Sequence, residues 1–385
     1  MIDTLQDLQS LIQRAQQGPC VALDTEFVWE QTYYPRLGIV QLGLSDTDCH
    51  LIDAQAIEDL SPIGDLMRNP AVTKILHDAQ QDLWILYRAT GDLPQNIFDT
   101  RCAGGFTNLG STLSLGNLIQ QCVGIRLSKT ETRTNWLARP LSKKQQAYAL
   151  DDVRYLPAAR TELLKRIQKY DRLTWLEEEL ALYDNPDLYS DKEPSEQFRR
   201  LKGTHRCSPR ELAVARELAA WREKEARLQD RPRNRIFRDD IIVGLARRQP
   251  RSLSSLQRLS RLNNRDAKSY GPAVLEAIQR GQAVDPKDCP HLPRTANGNP
   301  VHDAQLDLAM ACVRGKSLAS GIDIPLVGSR SELKDLVLQG SDASPQNHRL
   351  LQGWRREFLG EDLLKLLSGH QGLCVNPETG LPQLT

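Results

Sequence analysis

The stretch CVALDTEFV, residues 20–28, decides how the chain is read. Four apolar residues lead into two acids set two apart, the pattern of a buried β-strand with carboxylates near its end. In a strand, residues i and i+2 face the same way, so Asp24 and Glu26 project side by side and Thr25 turns away. Buried like charges repel and lose hydration, so they need a compensating partner. A hard divalent cation is the natural one, because such ions take carboxylate oxygens. A strand end at which both acids reach water is the alternative.

Upstream, Leu5, Leu8, Leu11, Ile12 and Ala15 recur at helical spacing over 3–16, and Gly18-Pro19 stops that helix. Downstream, LGIVQLGLS (37–45) and CHLID (49–53) continue as an antiparallel meander. A helix over 57–68, a strand VTKILH (72–77), an acid-rich helix over 78–90 and a short strand NIFDT (96–100) follow. Helices then dominate, at 113–122 and in one long run over 142–168. This order predicts a mixed sheet flanked by helices, an α/β domain ending near 170. Two further acid sites lie in the later elements. In HDAQQDLWIL (77–86), Asp78 and Asp82 are four apart and are expected to share a helix face. In YALDDVRYL (148–156), Tyr148 and Asp152 share one, and Asp151 is turned about a quarter turn away. For Asp152 the alternative is a surface acid on an amphipathic helix.

The length of 385 residues predicts two or three domains. The formal net charge of +1 hides an asymmetry. Residues 171–195 hold 8 acids and 2 bases, whereas residues 196–280 hold 21 bases and 10 acids. A basic block in a neutral chain points to a polyanion partner; a solvated helical surface is the alternative. No apolar run is long enough for a transmembrane helix, and the start MIDTLQDLQS lacks the basic and apolar parts of a signal peptide. Eight scattered cysteines without a C-x-x-C pair argue against a zinc site and for the reducing cytoplasm.

The LDTEF, H-D-x-x-x-D-L and Y-x-x-x-D stretches, in this order at 24, 82 and 148, resemble the three motifs of the DEDD exonucleases, tyrosine subclass. Each is weak alone; the ordered set is specific. RLSKTETRTNWLARPLSKKQQAYALDDVRYL (126–156) is similar to the bacterial ribonuclease D group of that family. SPRELAVARELAAWREKEAR and the loop RPRNRIFRDD (231–240) resemble an HRDC domain, a small helical nucleic-acid-binding module. Residues 300–370 repeat the helical pattern more loosely. The resemblance implies an α/β, mixed-sheet, ribonuclease-H-like exonuclease domain at 1–184. Two all-α HRDC-like domains would follow, at 198–283 and 298–372. Polar, proline-containing stretches at 184–197 and 283–300 suit linkers.

It also implies a 3′→5′ exoribonuclease that trims structured RNAs with a free 3′ end, transfer RNA precursors being the usual class, and releases nucleoside 5′-monophosphates. Two divalent ions, Mg²⁺ or Mn²⁺, would be used. One would lie among Asp24, Glu26 and Asp152; the second would be held chiefly by Asp24, with Asp82 acting through water. Tyr148 would orient the attacking water, since a phenol with a pKa near ~10 is a poor base at neutral pH. The family pattern needs no acid at Asp78 or Asp151, and His77 is expected to pack or cap at its strand end. Phe27 and Gln41 are expected near the terminal base, and Arg231, Arg233, Arg235 and Arg238 on phosphates. The expected state is a cytoplasmic monomer without membrane contact. A DNA exonuclease of the same fold and a non-catalytic nucleic-acid-binding scaffold are the competing readings.

Overall fold

The structure, a computed structural model, describes residues 1–128, 134–260, 264–291 and 299–385. Residues 129–133 of the 126–156 stretch and 292–298 of the expected second linker lie outside the described residues. Strand β1 (Cys20–Val28) is the middle strand of a five-stranded sheet, with β2 (Arg36–Gly43), β3 (Cys49–Asp53), β4 (Thr73–Leu76) and β5 (Ile97–Asp99) in the order β3-β2-β1-β4-β5. β1 runs parallel to β4, β4 runs parallel to β5, and β2 is antiparallel to β3, so the sheet is mixed.

The two faces of β1 meet different helices. Val21 and Leu23 join one core cluster with Leu8, Leu11 and Ile12 of α1 (Leu5–Ala15), Ile63 and Leu66 of α2 (Ser61–Met67), and Leu83 and Leu86 of α3 (Gln80–Thr90). Ala22, on the opposite face, joins a second cluster. That cluster takes Ala103 from α4 (Thr100–Gly105), Leu118 from α5 (Leu115–Cys122), Val153 from α6 (Lys143–Arg154), Leu163 from α7 (Leu156–Lys169) and Leu176 from α8 (Leu173–Leu180). A strand covered on both sides is apolar at consecutive positions, as Val21-Ala22-Leu23 is. The long helix expected over 142–168 is two helices divided at Tyr155, where Pro157 opens the second and cannot donate a backbone bond.

By Cα packing the chain forms two compact units. The first combines Met1–Phe27 and Leu37–Tyr189 with the described residues from 299 to 385. The second combines Val28–Arg36 with the described residues of 190–291. In the second unit α9 (Pro209–Leu228), α10 (Arg233–Ile236), α11 (Asp239–Arg248), α12 (Leu253–Ser260) and α13 (Asn264–Ala283) pack around Leu218, Trp221, Phe237, Ile242 and Ile278, with Tyr33 buried among them. The basic stretch 231–240 is therefore partly helical.

The last segment forms α14 (Pro300–Ser320), α15 (Ile324–Val327), α16 (Arg330–Gln339), α17 (Gly353–Arg355) and α18 (Glu361–Leu367), then a two-stranded ribbon, β6 (Leu373–Val375) with β7 (Pro382–Leu384). Its apolar residues belong to the Ala22 cluster. Trp354 packs edge-on to Phe106 at 5.0 Å, and Arg172 donates to the carbonyls of Phe106 and Ser320. This segment thus shares a core with the sheet domain, and the stretch 184–197 carries the buried residues Tyr189 and Gln197. Among the described residues no helix is long and apolar enough to cross a membrane.

Candidate active site

Register places the acids. Ala22 pairs with Ile75, so Asp24 is level with position 77, just past the end of β4 at Leu76. There the chain leaves the sheet and enters α3, at the carboxyl end of a parallel strand, where α/β sheets open into a crevice. Asp24 and Glu26 share the Ala22 face, and that face meets α6. Ser142 caps α6: its Oγ accepts from the Gln145 N–H at 3.2 Å, and the Gln145 side chain accepts from the Ser142 N–H at 2.9 Å. From that start the helical repeat turns Tyr148 and Asp152 to one side. One carboxylate oxygen from each of Asp24, Glu26 and Asp152 falls within 4.8 Å of the others.

The loop ahead of α6 is bolted to the sheet. Arg139 forks onto Asp53 of β3 with two bonds of 2.6 Å, and it also donates to the carbonyls of Gly38 and Trp136. The hydrogen bonds from Arg139 hold the Asp53 carboxyl below its usual range. A Cβ on Gly38 would lie 2.5 Å from the Trp136 carbonyl oxygen, so only glycine permits this approach. Trp136 in turn packs 6.2 Å from the Tyr148 ring.

Among the described residues no basic side chain pairs with Asp24, Glu26, Asp82 or Asp152. Burial, then the neighbouring acids, pushes Glu26 up to about 8 and Asp152 up to about 7. Asp24 is raised well above the usual range by burial and by Asp82, Asp152 and Glu26. Burial, then Asp152, Glu26 and Asp24, raises the Tyr148 phenol too, and its hydroxyl makes no hydrogen bond among the described residues. Such a set of oxygens suits a hard divalent cation: oxygens 2.0–2.6 Å from one ion lie roughly 3–5 Å apart.

Asp82 approaches from the other face. It is 9% exposed and accepts a hydrogen bond from Thr25, the residue turned away from Asp24 and Glu26. Burial raises it to about 6 despite that bond. It is therefore outside the group of three.

Residues 1–168 match the family model of 3′-5′ exonucleases, and residues 211–278 match the HRDC domain. The Ribonuclease D of Desulfotalea psychrophila is 40% identical over 359 residues, 93% of this chain and 96% of that protein. The chain belongs to the ribonuclease D family. The Ribonuclease D of Pseudomonas paraeruginosa is 33% identical over 371 residues, 95% of this chain and 97% of that one. The crystal structure of RNase D from Escherichia coli, described as an exoribonuclease involved in structured RNA processing, matches with a TM-score of 0.85 at 30% identity. That match covers 96% of this chain and 98% of that one. As a ribonuclease D the chain is a metal-dependent 3′→5′ exoribonuclease, and its substrate is RNA.

The other residues singled out in the sequence fall as follows. Asp78 does not share a helix face with Asp82. It precedes α3 at φ 63°, in the left-handed region, and pairs with Arg101. Asp151 pairs with Arg154 at 2.8 Å. His77 contacts the Thr100 hydroxyl and the Leu113 carbonyl, both at 3.0 Å, and does not cap α3. Gln41 is fully buried, its amide nitrogen 3.5 Å from Asp24, and Phe27 is half-buried. Arg233 is held by Glu223 and the Tyr33 hydroxyl, Arg238 pairs with Asp240 at 2.8 Å, and Arg231 donates to Gln229 at 3.2 Å. Arg235 is exposed, with no ion pair among the described residues.

Two structural residues escape a sequence reading. Arg139 meets Asp53 across 86 positions, with no local pattern to announce the pair. Asp99 accepts from the backbone N–H groups of Asp78, Ala79 and Arg101 and from the Tyr183 hydroxyl, which holds the turn ahead of Asp82.

Proposed function

We propose that Asp24, Glu26 and Asp152 hold one divalent ion, and that Asp24, with Asp82 through water, holds a second. Mg²⁺ and Mn²⁺ are the candidates, being hard ions suited to carboxylate oxygen. Bound there, the ions supply an acidified water and stabilise charge on the phosphate and on the departing 3′-oxygen. Tyr148 orients the attacking water; the raised phenol pKa keeps the hydroxyl protonated and able to donate. The water oxygen bonds to phosphorus, the bond to the 3′-oxygen of the preceding nucleotide breaks, and a nucleoside 5′-monophosphate leaves. The observation that supports this reading is the group of three half-buried carboxylates within 4.8 Å, unpaired with any base among the described residues.

The substrate we infer is a structured RNA with a short 3′ extension, of the transfer RNA precursor class. The basic block at 196–280 supports it, with Arg235 a phosphate contact and Arg231, Arg233 and Arg238 contributing where they can leave their present partners. Phe27 lies beside the terminal base, and Gln41 acts there through Asp24. We assign the exonuclease domain to 1–184 and HRDC-like domains to 198–283 and 298–372, the last sharing its core with the exonuclease domain, in a cytoplasmic monomer. Eight free cysteines accord with a reducing compartment.

A gel time course tests this reading. A transfer RNA with a few extra 3′ nucleotides is compared with a DNA oligonucleotide of the same 3′ end, in Mg²⁺, in Mn²⁺ and in chelator. Stepwise, metal-dependent shortening of the RNA is expected. Equal shortening of the DNA, or shortening in chelator, contradicts it.

A further inference from the structure

The loop that precedes α6 is held by more bonds than a connection needs. Every N–H donor of the Arg139 guanidinium is used. Nε and Nη2 reach the two oxygens of Asp53 at 2.6 Å, and Nη2 also reaches the Gly38 carbonyl at 3.0 Å. Nη1 reaches the carbonyls of Trp136 and Ala138, both at 2.9 Å. The Trp136 carbonyl is therefore gripped from two sides. Arg139 donates to it, and Gly38 approaches it so closely that a Cβ would lie 2.5 Å away. All of these residues belong to the first unit.

What the loop presents to α6 is the Trp136 ring. It is 3% exposed and packs with Ile39, Leu51, Leu141 and Ala149. It lies 6.2 Å from the Tyr148 ring, with the two planes 31° apart. Tyr148 depends on such a support. Its hydroxyl makes no hydrogen bond among the described residues, so no polar contact fixes the direction in which it points. The ring is half-buried, and packing alone selects its rotamer. A catalytic group displaced by ~1 Å can lose ~100-fold in rate, so the wall against which this ring rests has a kinetic consequence.

We propose that Arg139, Asp53 and Gly38 form a clamp that seats Trp136 against Tyr148, and that Trp136 is thereby a positioning residue for the catalytic hydroxyl. The proposal rests on the reading of Tyr148 as the group that orients the attacking water. The clamp touches none of the four acids, so it acts on water orientation and leaves ion binding alone.

Steady-state kinetics of the full chain on the 3′-extended RNA in Mg²⁺ tests this, with each substitution made alone and together with Tyr148→Phe. Trp136→Leu should lower kcat about tenfold and leave KM within about twofold of wild type. In the Tyr148→Phe background the same substitution should cost almost nothing, because the hydroxyl it misplaces is already gone. Trp136→Phe, which keeps a flat ring, should retain most of kcat. Arg139→Lys keeps the charge and loses the fork; it should lower kcat about threefold, again only where the tyrosine is present. It decides the matter if melting curves show Trp136→Leu to be unfolded. The rise in melting temperature on adding Mg²⁺ should be as large in each single variant as in the wild type. An equal loss of kcat in both backgrounds, or a lost Mg²⁺ response, makes the clamp purely structural and overturns the proposal. If Tyr148→Phe turns over like the wild type, the water-orienting reading fails, and the clamp is read directly by ¹⁹F NMR with 3-fluorotyrosine at position 148. A second or broadened line in Trp136→Leu then sustains it, and a line of unchanged width overturns it.

Discussion

Glu26, half-buried, and Glu223, fully buried, are the same residue type, and the protein treats them in opposite ways. Glu223 is 1% exposed and lies among Arg233, Arg227 and the Tyr33 hydroxyl. Burial pushes its pKa up, but the hydrogen bonds from Arg233 and Tyr33 outweigh that and hold it below the usual range. Among the described residues Glu26 has only acids for charged neighbours, and burial with Asp152 and Asp82 lifts it to about 8. The chain satisfies its other buried carboxylates, with arginines at Asp53 (Arg139) and Glu179 (Arg355) and with backbone N–H groups and the Tyr183 hydroxyl at Asp99. Among the described residues nothing basic reaches the acids of β1. A cluster left unpaired in such a protein is one that a bound cation completes.

The largest effect that can break this contrast is on catalysis. Asp24→Asn should lower turnover by about 10³-fold or more, because Asp24 is common to both proposed ion positions. Turnover within a few-fold of wild type, read on the 3′-extended RNA, would remove the site from β1. Glu223→Gln should instead cost stability, about 2–3 kcal/mol in urea unfolding, and leave turnover largely intact. That figure is below the full cost of a broken buried pair because Arg233 and Arg227 are partly exposed and can rehydrate. Tyr148→Phe should lower turnover about 10–100-fold while leaving metal-induced stabilisation unchanged, since it alters water orientation and no carboxylate. Loss of the metal response in Tyr148→Phe would make the tyrosine part of the ion site.

The contrast also has a pH signature. A folded carboxyl with a raised pKa binds its proton longer than the unfolded one, so it costs stability as pH rises from the unfolded value toward the folded value. In chelator, Glu26 should therefore lower stability as pH rises from about 4.5 toward about 8. Glu223, with its lowered pKa, contributes stability above about 4.5, lost as pH falls through its folded value. Urea unfolding across that range, comparing wild type with Glu26→Gln and Glu223→Gln, separates the two slopes. A wild-type slope in chelator that Glu26→Gln does not reduce would contradict the assignment.

Much of the site was legible because it is local. Asp24 with Glu26, and Tyr148 with Asp152, follow from the strand and helix repeats, and the mixed sheet follows from the order of elements. What escaped depends on tertiary structure. Thr25 reaches Asp82 because the two faces of β1 meet different helices, which no spacing reveals. Asp78 looked helical by its four-residue offset, but Asp99 holds the preceding turn in a left-handed conformation. The segment from 300 onward has a helical pattern that shows an apolar face without saying what covers it. Phe106 and Trp354 supply that answer across the fold.

The most direct test of the central claim is the melting temperature of wild type and Glu26→Gln at pH 8, in chelator and then in saturating Mg²⁺. The account predicts that Mg²⁺ raises the wild type by a few degrees. Glu26→Gln in chelator should melt above the wild type, because one repelling charge is gone, and should lose most of the Mg²⁺ response. A wild type indifferent to Mg²⁺, or a Glu26→Gln variant that melts lower in chelator, would contradict it.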